Sequence, residues 1–211
     1  MANITFFHNP MSRGQIARWA LEEVGADYTV VPVGWADKPQ ALLAANPMGK
    51  VPTIIHHAPD GDGPGGDRVA SEAAAICHYL AEIHPEAGLL PTHAEKADYF
   101  RWLFFAAGPM EQAITSKAMG FAPSTPQQEG MLGFGSYDRA VDALDGWLTG
   151  RDYVCGDRFT MADVYVGSTV DWGLAFETLP ERDSFAVYAG RLRERAAYRS
   201  AKAKDGMGER A

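Results

Sequence analysis

Apolar residues recur at two different spacings along the chain, and the spacing changes near residue 84. Before that point, short runs of β-branched and aromatic residues alternate with stretches in which apolar residues return every three or four positions. Such runs are typical of strands and such stretches of helices, so the predicted order is βαβ-α-ββα. The predicted strands are 4–7, 28–33, 51–56 and 68–70, and the predicted helices are 12–24, 39–45 and 71–84.

This order predicts a thioredoxin-like domain at 1–84, in which both β-containing units contribute to one mixed four-stranded sheet. A loop rich in Gly, Pro and Asp at 58–67 separates the last two strands and indicates an elongated hairpin connection. Residues 85–92 contain two prolines and a glycine, and we interpret them as the linker to a second domain.

Only helical spacing remains after the linker, so residues 93–211 are predicted to form an all-α bundle and the whole chain an α+β fold. The first helix is expected to be interrupted at Gly108-Pro109, because proline removes a backbone donor and clashes with the preceding turn. The polar tail after Lys202 is expected to fray. The predicted helices are 93–120, 126–148, 160–176 and 184–199.

The charge and the cysteines exclude several classes of partner. The 211 residues carry a net charge of −8, whereas nucleic acids and anionic membranes attract basic surfaces, so neither is expected as a partner. The longest apolar run, at 102–107, is too short to cross a bilayer, and the N-terminus lacks the features of a secretory signal. Cys77 and Cys155 give neither a disulfide framework nor a metal-ligand spacing. We therefore expect a cytoplasmic protein without a metal site.

Val51-Pro52 opens the third predicted strand. Proline cannot donate to the ladder of a sheet, and in strands it usually lies at an edge. If the bond is cis, the backbone N–H and C=O of Val51 turn outward, where an extended peptide can pair with them as an added strand. The alternative is an edge-strand proline without any ligand role, and the residues leave both interpretations open.

Ser71-Glu72 lies at the start of the third predicted helix. Ser71 is a candidate N-cap, and Glu72 lies where the helix dipole favours negative charge. Free N–H groups at a helix start bind carboxylates, and Glu72 can hold an ammonium group. This pair suits the α-carboxyl and α-amino groups of a γ-glutamyl unit. The alternative is that the two residues only start a helix.

Two further motifs are helix starts. Ser12 with Gln15 three positions later fits a capping box at the first helix, although the same segment can also serve a ligand. Thr160 and Asp163 fit a second capping box, which we interpret as a stability element without a catalytic role.

These motifs, in this order, resemble those of the glutathione S-transferase superfamily, and the resemblance covers nearly the whole chain. The run 46–54 is similar to that family's turn and cis-proline strand, and Glu72 with 75–80 is similar to its acidic helix start. The run 156–163 is similar to the cap of its helical domain, and 99–107 resembles bacterial members.

The resemblance implies a homodimeric transferase of alkyl or aryl groups with a role in detoxification. It implies glutathione as co-substrate and no permanently bound cofactor. The chain departs from the family at Ala73, where many members carry serine. The residues that the resemblance implies for glutathione binding are Asn9, Lys50, Val51, Pro52, Ser71, Glu72 and Ala73.

The resemblance also implies that one residue of the loop at 9–13 activates the sulfur of glutathione. Ser12 is the only hydroxyl in this loop, so we predict that it is the catalytic residue, with Asn9 as the reserve. A free thiol has a pKa near 8.5, and lowering it by about two units needs about 2.7 kcal/mol. A hydrogen bond to the thiolate supplies about 1.5–3 kcal/mol and the helix start about 0.3–1, which together suffice.

Three functions remain open. The first is attack of the thiolate on a hydrophobic electrophile, and the second is a glutathione-dependent peroxidase or disulfide reductase. No cysteine lies in the loop at 9–13, so the second would act through bound glutathione itself. The third is a non-catalytic interaction protein on the same fold. Candidate lining residues for an electrophile pocket are Met110, Ile114, Met119, Phe121 and Trp172, and candidate dimer contacts are Trp102, Phe104 and Phe105.

Overall fold

The protein is described from a computed structural model that covers residues 3–57 and 66–206. Most of the predicted hairpin connection, residues 58–65, therefore lies outside the described residues. The chain divides into two compact units. One contains the residues up to Gly88 together with those from Arg195 onward, and the other runs from Leu89 to Glu194.

The first unit is built on one mixed sheet with the strand order β2-β1-β3-β4. Strand β1 is parallel to β2 and antiparallel to β3, which is antiparallel to β4. The predicted βαβ-α-ββα order and the thioredoxin-like class are confirmed. Its elements are β1 (Ile4–His8), α1 (Gly14–Glu23), β2 (Tyr28–Pro32), α2 (Gln40–Ala45), β3 (Thr53–His57), β4 (Asp67–Ser71) and α3 (Ala73–Ile83), followed by a 3-10 turn at Pro85–Ala87.

Both faces of this sheet are covered at β1. Successive residues of a strand point to opposite faces, and the neighbours Phe6 and Phe7 are both buried. Phe7 packs with Val33 and Leu42 in a buried apolar cluster on one face. Phe6 lies on the opposite face with His8, and the two rings are 4.7 Å apart. Strands covered on both sides need apolar residues at nearly every position, which explains the continuous apolar run in β1.

The register of the sheet defines one functional edge. Phe7 of β1 pairs with Thr53 of β3, and Thr53 pairs with Ser71 of β4. The end of β1, the beginning of β3 and the end of β4 therefore lie side by side. Since neighbouring strands are about 4.8 Å apart, this edge spans about 10 Å from β1 to β4. We call it the site edge.

The last helix of the chain belongs to the first unit. The single helix predicted at 184–199 is instead α9 (Asp183–Arg193) and α10 (Ala196–Lys204). They are separate because Arg195 is extended, with ψ 133°, and its guanidinium binds both carboxylate oxygens of Glu23 at 2.7 Å. Helix α10 packs against α1. The second unit therefore ends earlier than the domain predicted at 93–211.

The predicted fraying after Lys202 is wrong for the residues that the structure describes. Helix α10 continues to Lys204, and the side chain of Asp205 is only 1% exposed. Asp205 contacts buried groups of β1 and α1, so burial of its carboxylate fixes the end of α10.

The second unit is helical. The predicted interruption at Pro109 is confirmed as a π-helical segment, Ala106–Met110. The single helix predicted at 126–148 is wrong, because Gly135 adopts a φ of 66° and Ser136 then caps a new helix. The α-helices of the second unit are α4 (Lys96–Phe105), α5 (Glu111–Ala118), α6 (Pro126–Met131), α7 (Tyr137–Leu148), α8 (Met161–Ala175) and α9.

The predicted capping box at Thr160 and Asp163 is confirmed at the start of α8. The buried Asp163 carboxylate also accepts hydrogen bonds from Val154 N, at 2.7 Å, and from the Tyr188 hydroxyl, at 2.8 Å. Burial nevertheless raises the pKa of Asp163 to about 6. Among the described residues, no helix combines the length and the apolar character that a membrane crossing requires.

Candidate functional site

The loop from Asn9 to Arg13 follows β1 at the site edge, and Asn9 organises it. The Asn9 side-chain amide donates to Val33 O at 2.8 Å, and its carbonyl oxygen accepts from Met11 N at 2.8 Å. The Asn9 main-chain oxygen accepts from Ser12 N at 3.1 Å. The side chain of Asn9 therefore holds the turn against Val33, the residue after β2, and this bond competes with a role in activating a thiol.

Ser12 lies half-buried just before α1. Its hydroxyl donates to Asn9 O at 2.7 Å and accepts from Gly14 N at 2.9 Å. The predicted capping box is wrong, because Arg13 is the N-cap and the Gln15 side chain donates to Pro10 O instead. A hydroxyl rotates about its C–O bond, so Ser12 can donate to a thiolate only by giving up its bond to Asn9 O.

A buried cluster lies directly behind this loop. His8 is 2% exposed, and its Nε2 lies 2.7 Å from the Asp205 carboxylate. The same carboxylate oxygen is 2.7 Å from Arg18 Nε. On its other side the His8 ring faces Gly14, where an added Cβ would lie 2.3 Å from His8 Nδ1. Sequence reasoning missed this cluster, because no local pattern connects His8 with a residue at the far end of the chain.

The turn before β3 is held by Asn46, which is 8% exposed. The Asn46 amide donates to Lys50 O at 3.3 Å and to Thr53 Oγ1 at 3.1 Å, and Thr53 Oγ1 donates to Lys50 O at 2.9 Å. Gly49 adopts a φ of 61°, which L side chains rarely do. These contacts fix the backbone immediately before the proline.

The Val51-Pro52 peptide bond is cis, one of the two geometries that the sequence allowed. Pro52 is buried, whereas Lys50 is exposed at the surface of the turn. The Val51 side chain packs against the buried cluster of Phe7 and Val33. Packing of this side chain on the core fixes the Val51 backbone at the site edge.

The start of α3 differs from the prediction. Ser71 is the last residue of β4, paired with Thr53, so its predicted role as N-cap is wrong. The N-cap is Glu72, which makes no side-chain capping hydrogen bond. The first N–H groups of a helix have no partner within the helix, so this start can bind an anion.

Glu72 also has an unusual backbone. Its φ is 67° and its ψ is 116°, outside the regions that residues other than glycine normally adopt. Such residues concentrate at functional sites. Glu72 is exposed at the site edge, whereas Ala73, the first residue of α3, is buried.

The site edge thus brings together the predicted residues of three segments: the loop with Asn9 and Ser12, the turn with Lys50 to Pro52, and Ser71 to Ala73.

In the second unit, two of the candidate pocket and dimer residues are core residues, since Met110 is 0% and Trp102 is 1% exposed. Phe104, Met119 and Phe121 are exposed. Within residues 3–57 and 66–206, no three His, Cys, Asp or Glu side chains are grouped as a metal site would need.

Comparison with known proteins agrees with this geometry. Residues 6–88 match the family model of the glutathione S-transferase N-terminal domain, and residues 99–189 match that of the C-terminal domain. The chain belongs to the glutathione S-transferase family. The resemblance and the fold inferred from the motifs are thereby confirmed.

The relatives of this glutathione S-transferase family member include both named transferases and a protein named as an elongation factor. The chain is 26% identical to glutathione S-transferase GstA of Escherichia coli O157:H7, over 95% of this chain and 98% of that protein. It is 30% identical to a probable elongation factor 1-gamma 1 of Arabidopsis thaliana, over 74% of this chain and 37% of that protein. A sphingomonad glutathione S-transferase complexed with glutathione has a TM-score of 0.73 and 27% identity, covering 96% of this chain and 99% of that one.

Proposed function

We propose that this protein is a glutathione transferase that binds glutathione along the site edge and activates its thiol for attack on a hydrophobic electrophile. The observation that carries the proposal is the alignment of three segments across the sheet, from the loop after β1 to the start of α3. An extended tripeptide is about 10 Å long, which matches the width of two strand spacings. The proposal includes a cytoplasmic homodimer.

The γ-glutamyl end of glutathione is assigned to the start of α3. Its carboxylate accepts from the uncapped N–H groups there, and its ammonium group pairs with the exposed Glu72 carboxylate. Ala73 has no hydroxyl to add to this contact. The backbone amides and Ser71 are therefore left to hold the carboxylate.

The cysteinyl part of glutathione is assigned to the backbone of Val51, as an added strand beside the turn. Asn46 fixes this turn through Lys50 O, so the Val51 backbone is in place before the ligand arrives. Lys50 is exposed next to it and is assigned to the glycyl carboxylate. Pairing through the main chain suits a ligand of fixed length and few side chains.

The sulfur then lies near the loop at the start of α1, where Ser12 is the assigned activator. Its hydroxyl rotates from Asn9 O toward the sulfur and donates to the thiolate. The proton of the thiol passes to solvent, and the sulfur attacks the electrophilic carbon as the leaving group departs. Asn9 is the weaker candidate, because its side chain is already bonded to Val33 O.

The proposal is tested by incubating the purified protein with glutathione and an aryl halide such as chlorodinitrobenzene, and separately with an organic peroxide. Conjugation without peroxide turnover supports the transferase. Peroxide turnover alone would favour the glutathione peroxidase function.

A non-catalytic role is the second candidate, because one relative is a probable elongation factor 1-gamma. Absence of both reactions, together with no thermal stabilisation by millimolar glutathione, would favour this role. A panel of several electrophile classes guards against the wrong choice of co-substrate.

A further inference from the structure

We propose that His8, held by Asp205, is a positioning residue that sets the place of the Ser12 hydroxyl, so that the last helix of the chain supports thiol activation. The inference rests on the proposed function of Ser12. It assigns a role to two residues with buried side chains that the proposed function does not use.

The first step is the bond between His8 and Asp205. An ionised carboxylate only accepts hydrogen bonds, so the Nε2 atom of His8, 2.7 Å from Asp205 Oδ1, is the donor. Nδ1 is buried and has no hydrogen-bond partner within the described residues. The bond to Asp205 is therefore the hydrogen bond that orients the ring.

The second step is the position of Asp205. It follows α10, and its carboxylate also lies 2.7 Å from Arg18 Nε on α1. The side chains of Asp205 and Arg18 are 1% and 7% exposed. One buried carboxylate thereby joins the end of β1, the middle of α1 and the end of α10, and it fixes the plane of the His8 ring.

The third step leads from the ring to Ser12. The position of a Cβ added to Gly14 lies 2.3 Å from His8 Nδ1, 2.9 Å from His8 Cε1 and 3.0 Å from Ser12 Oγ. The ring therefore packs directly on Gly14, and Gly14 N donates to Ser12 Oγ at 2.9 Å. A tilt of the ring would shift Gly14 and, through this bond, the hydroxyl.

Helix α10 is attached to α1 by further polar contacts, which provide a matched control. Lys204, one residue before Asp205, lies 2.6 Å from Glu22 Oε1 and is half exposed. Lys204→Met removes an ion pair from the same end of α10 without touching the His8 ring. It separates loss of helix attachment from loss of the ring's orientation.

The test compares His8→Leu, His8→Gln, Asp205→Asn and Lys204→Met. The readouts are the pKa of bound glutathione thiol, from thiolate absorbance, and the separate values of kcat and KM. We expect His8→Leu and Asp205→Asn to raise that pKa and to lower kcat about tenfold or more with little change in KM, because small misplacements of a catalytic group have effects of this size. His8→Gln keeps an N–H for Asp205, so we expect it to restore most of the activity, and Lys204→Met should match the wild type.

Two results overturn the inference. One is a folded His8→Leu protein with the wild-type thiol pKa, and the other is an equal rise in Lys204→Met. If Asp205→Asn does not fold because Arg18 loses its counter-charge, the two His8 variants decide. A wild-type protein that binds glutathione without ionising it would overturn the Ser12 assignment as well, whereas a wild-type thiolate unchanged in His8→Leu would overturn this inference alone.

Discussion

Replacing Ser12 by alanine removes one oxygen that has two partners, and the two losses have separable effects. The hydroxyl accepts from Gly14 N at the start of α1, as a cap does, and it donates to Asn9 O. Loss of a capping hydroxyl costs about 1 kcal/mol of unfolding free energy. For a protein of this length that corresponds to a melting temperature lower by about 2–4 °C.

Ser12→Ala should change the pKa of bound glutathione thiol by less than the sequence alone suggests. A hydrogen bond to the thiolate is worth about 1.5–3 kcal/mol, but the hydroxyl must first leave Asn9 O, which offsets about 1 kcal/mol. The net of about 0.5–2 kcal/mol corresponds to about 0.4–1.5 pKa units, centred near one unit. We therefore expect Ser12→Ala to raise the pKa of bound glutathione thiol by about one unit and to lower kcat/KM about tenfold at pH values below the wild-type thiol pKa.

The assay is a pH titration of thiolate absorbance with the protein saturated by glutathione. Ser136→Ala is the matched control, because Ser136 Oγ caps α7 by accepting from Arg139 N at 3.3 Å in the other unit. It should lose similar stability and keep the thiol pKa. The reasoning is refuted if Ser12→Ala binds glutathione and ionises it at the same pH as the wild type.

Three further predictions follow from backbone and burial. Glu72→Gly should relieve the φ of 67° and stabilise the protein by about 1 kcal/mol relative to Glu72→Ala, although both variants should bind glutathione at least about tenfold more weakly in calorimetry. Equal melting temperatures would contradict the claim of backbone strain. Gly14→Ala should destabilise the protein by about 1–3 kcal/mol, because its Cβ would meet the His8 ring at 2.3 Å, whereas Gly146→Ala, which meets nothing within 4 Å, should not. Denaturant unfolding of both variants checks this, and equal stabilities would show that the ring yields. Burial raises the pKa of Asp163 to about 6, so its contribution to stability is present below its unfolded pKa and is lost as pH rises through about 6. The unfolding free energy of the wild type should therefore fall relative to that of Asp163→Asn by about 3 kcal/mol over that range in denaturant titrations, and parallel curves would contradict the raised pKa.

The sequence predicted the elements that have local signals in both units. Strands β1, β2 and β3 each contain a short apolar run, and in the second unit Thr160 with Asp163 is a capping pattern within four positions. Pro109 interrupts its helix as expected, since the missing N–H acts on the neighbouring turn. Local motifs and the family resemblance named the three segments of the site, whereas the strand order that places their ends side by side is given by the structure.

The remaining features depend on contacts that spacing does not encode. Residue type alone predicted Ser71 as the N-cap of α3. In the structure Ser71 pairs with Thr53 as the last residue of β4, so the N-cap is the next residue, Glu72. The polar tail looked free, yet Asp205 is buried against His8 and Arg18, and nothing near either end of the chain indicates this pairing. Polar residues at a helix end are exposed as a rule, but a charged residue such as Asp205 can be buried where it is paired with another buried polar group.

The central claim is that glutathione lies along the site edge with its γ-glutamyl end at the start of α3. Calorimetric titration of the wild type with glutathione, and with cysteinylglycine, which lacks the γ-glutamyl unit, tests it most directly. We predict that glutathione binds, that cysteinylglycine does not, and that Glu72→Gln weakens glutathione binding at least about tenfold, the size of one charged hydrogen bond. Equal binding of the two peptides, or unchanged affinity in Glu72→Gln, would contradict the account.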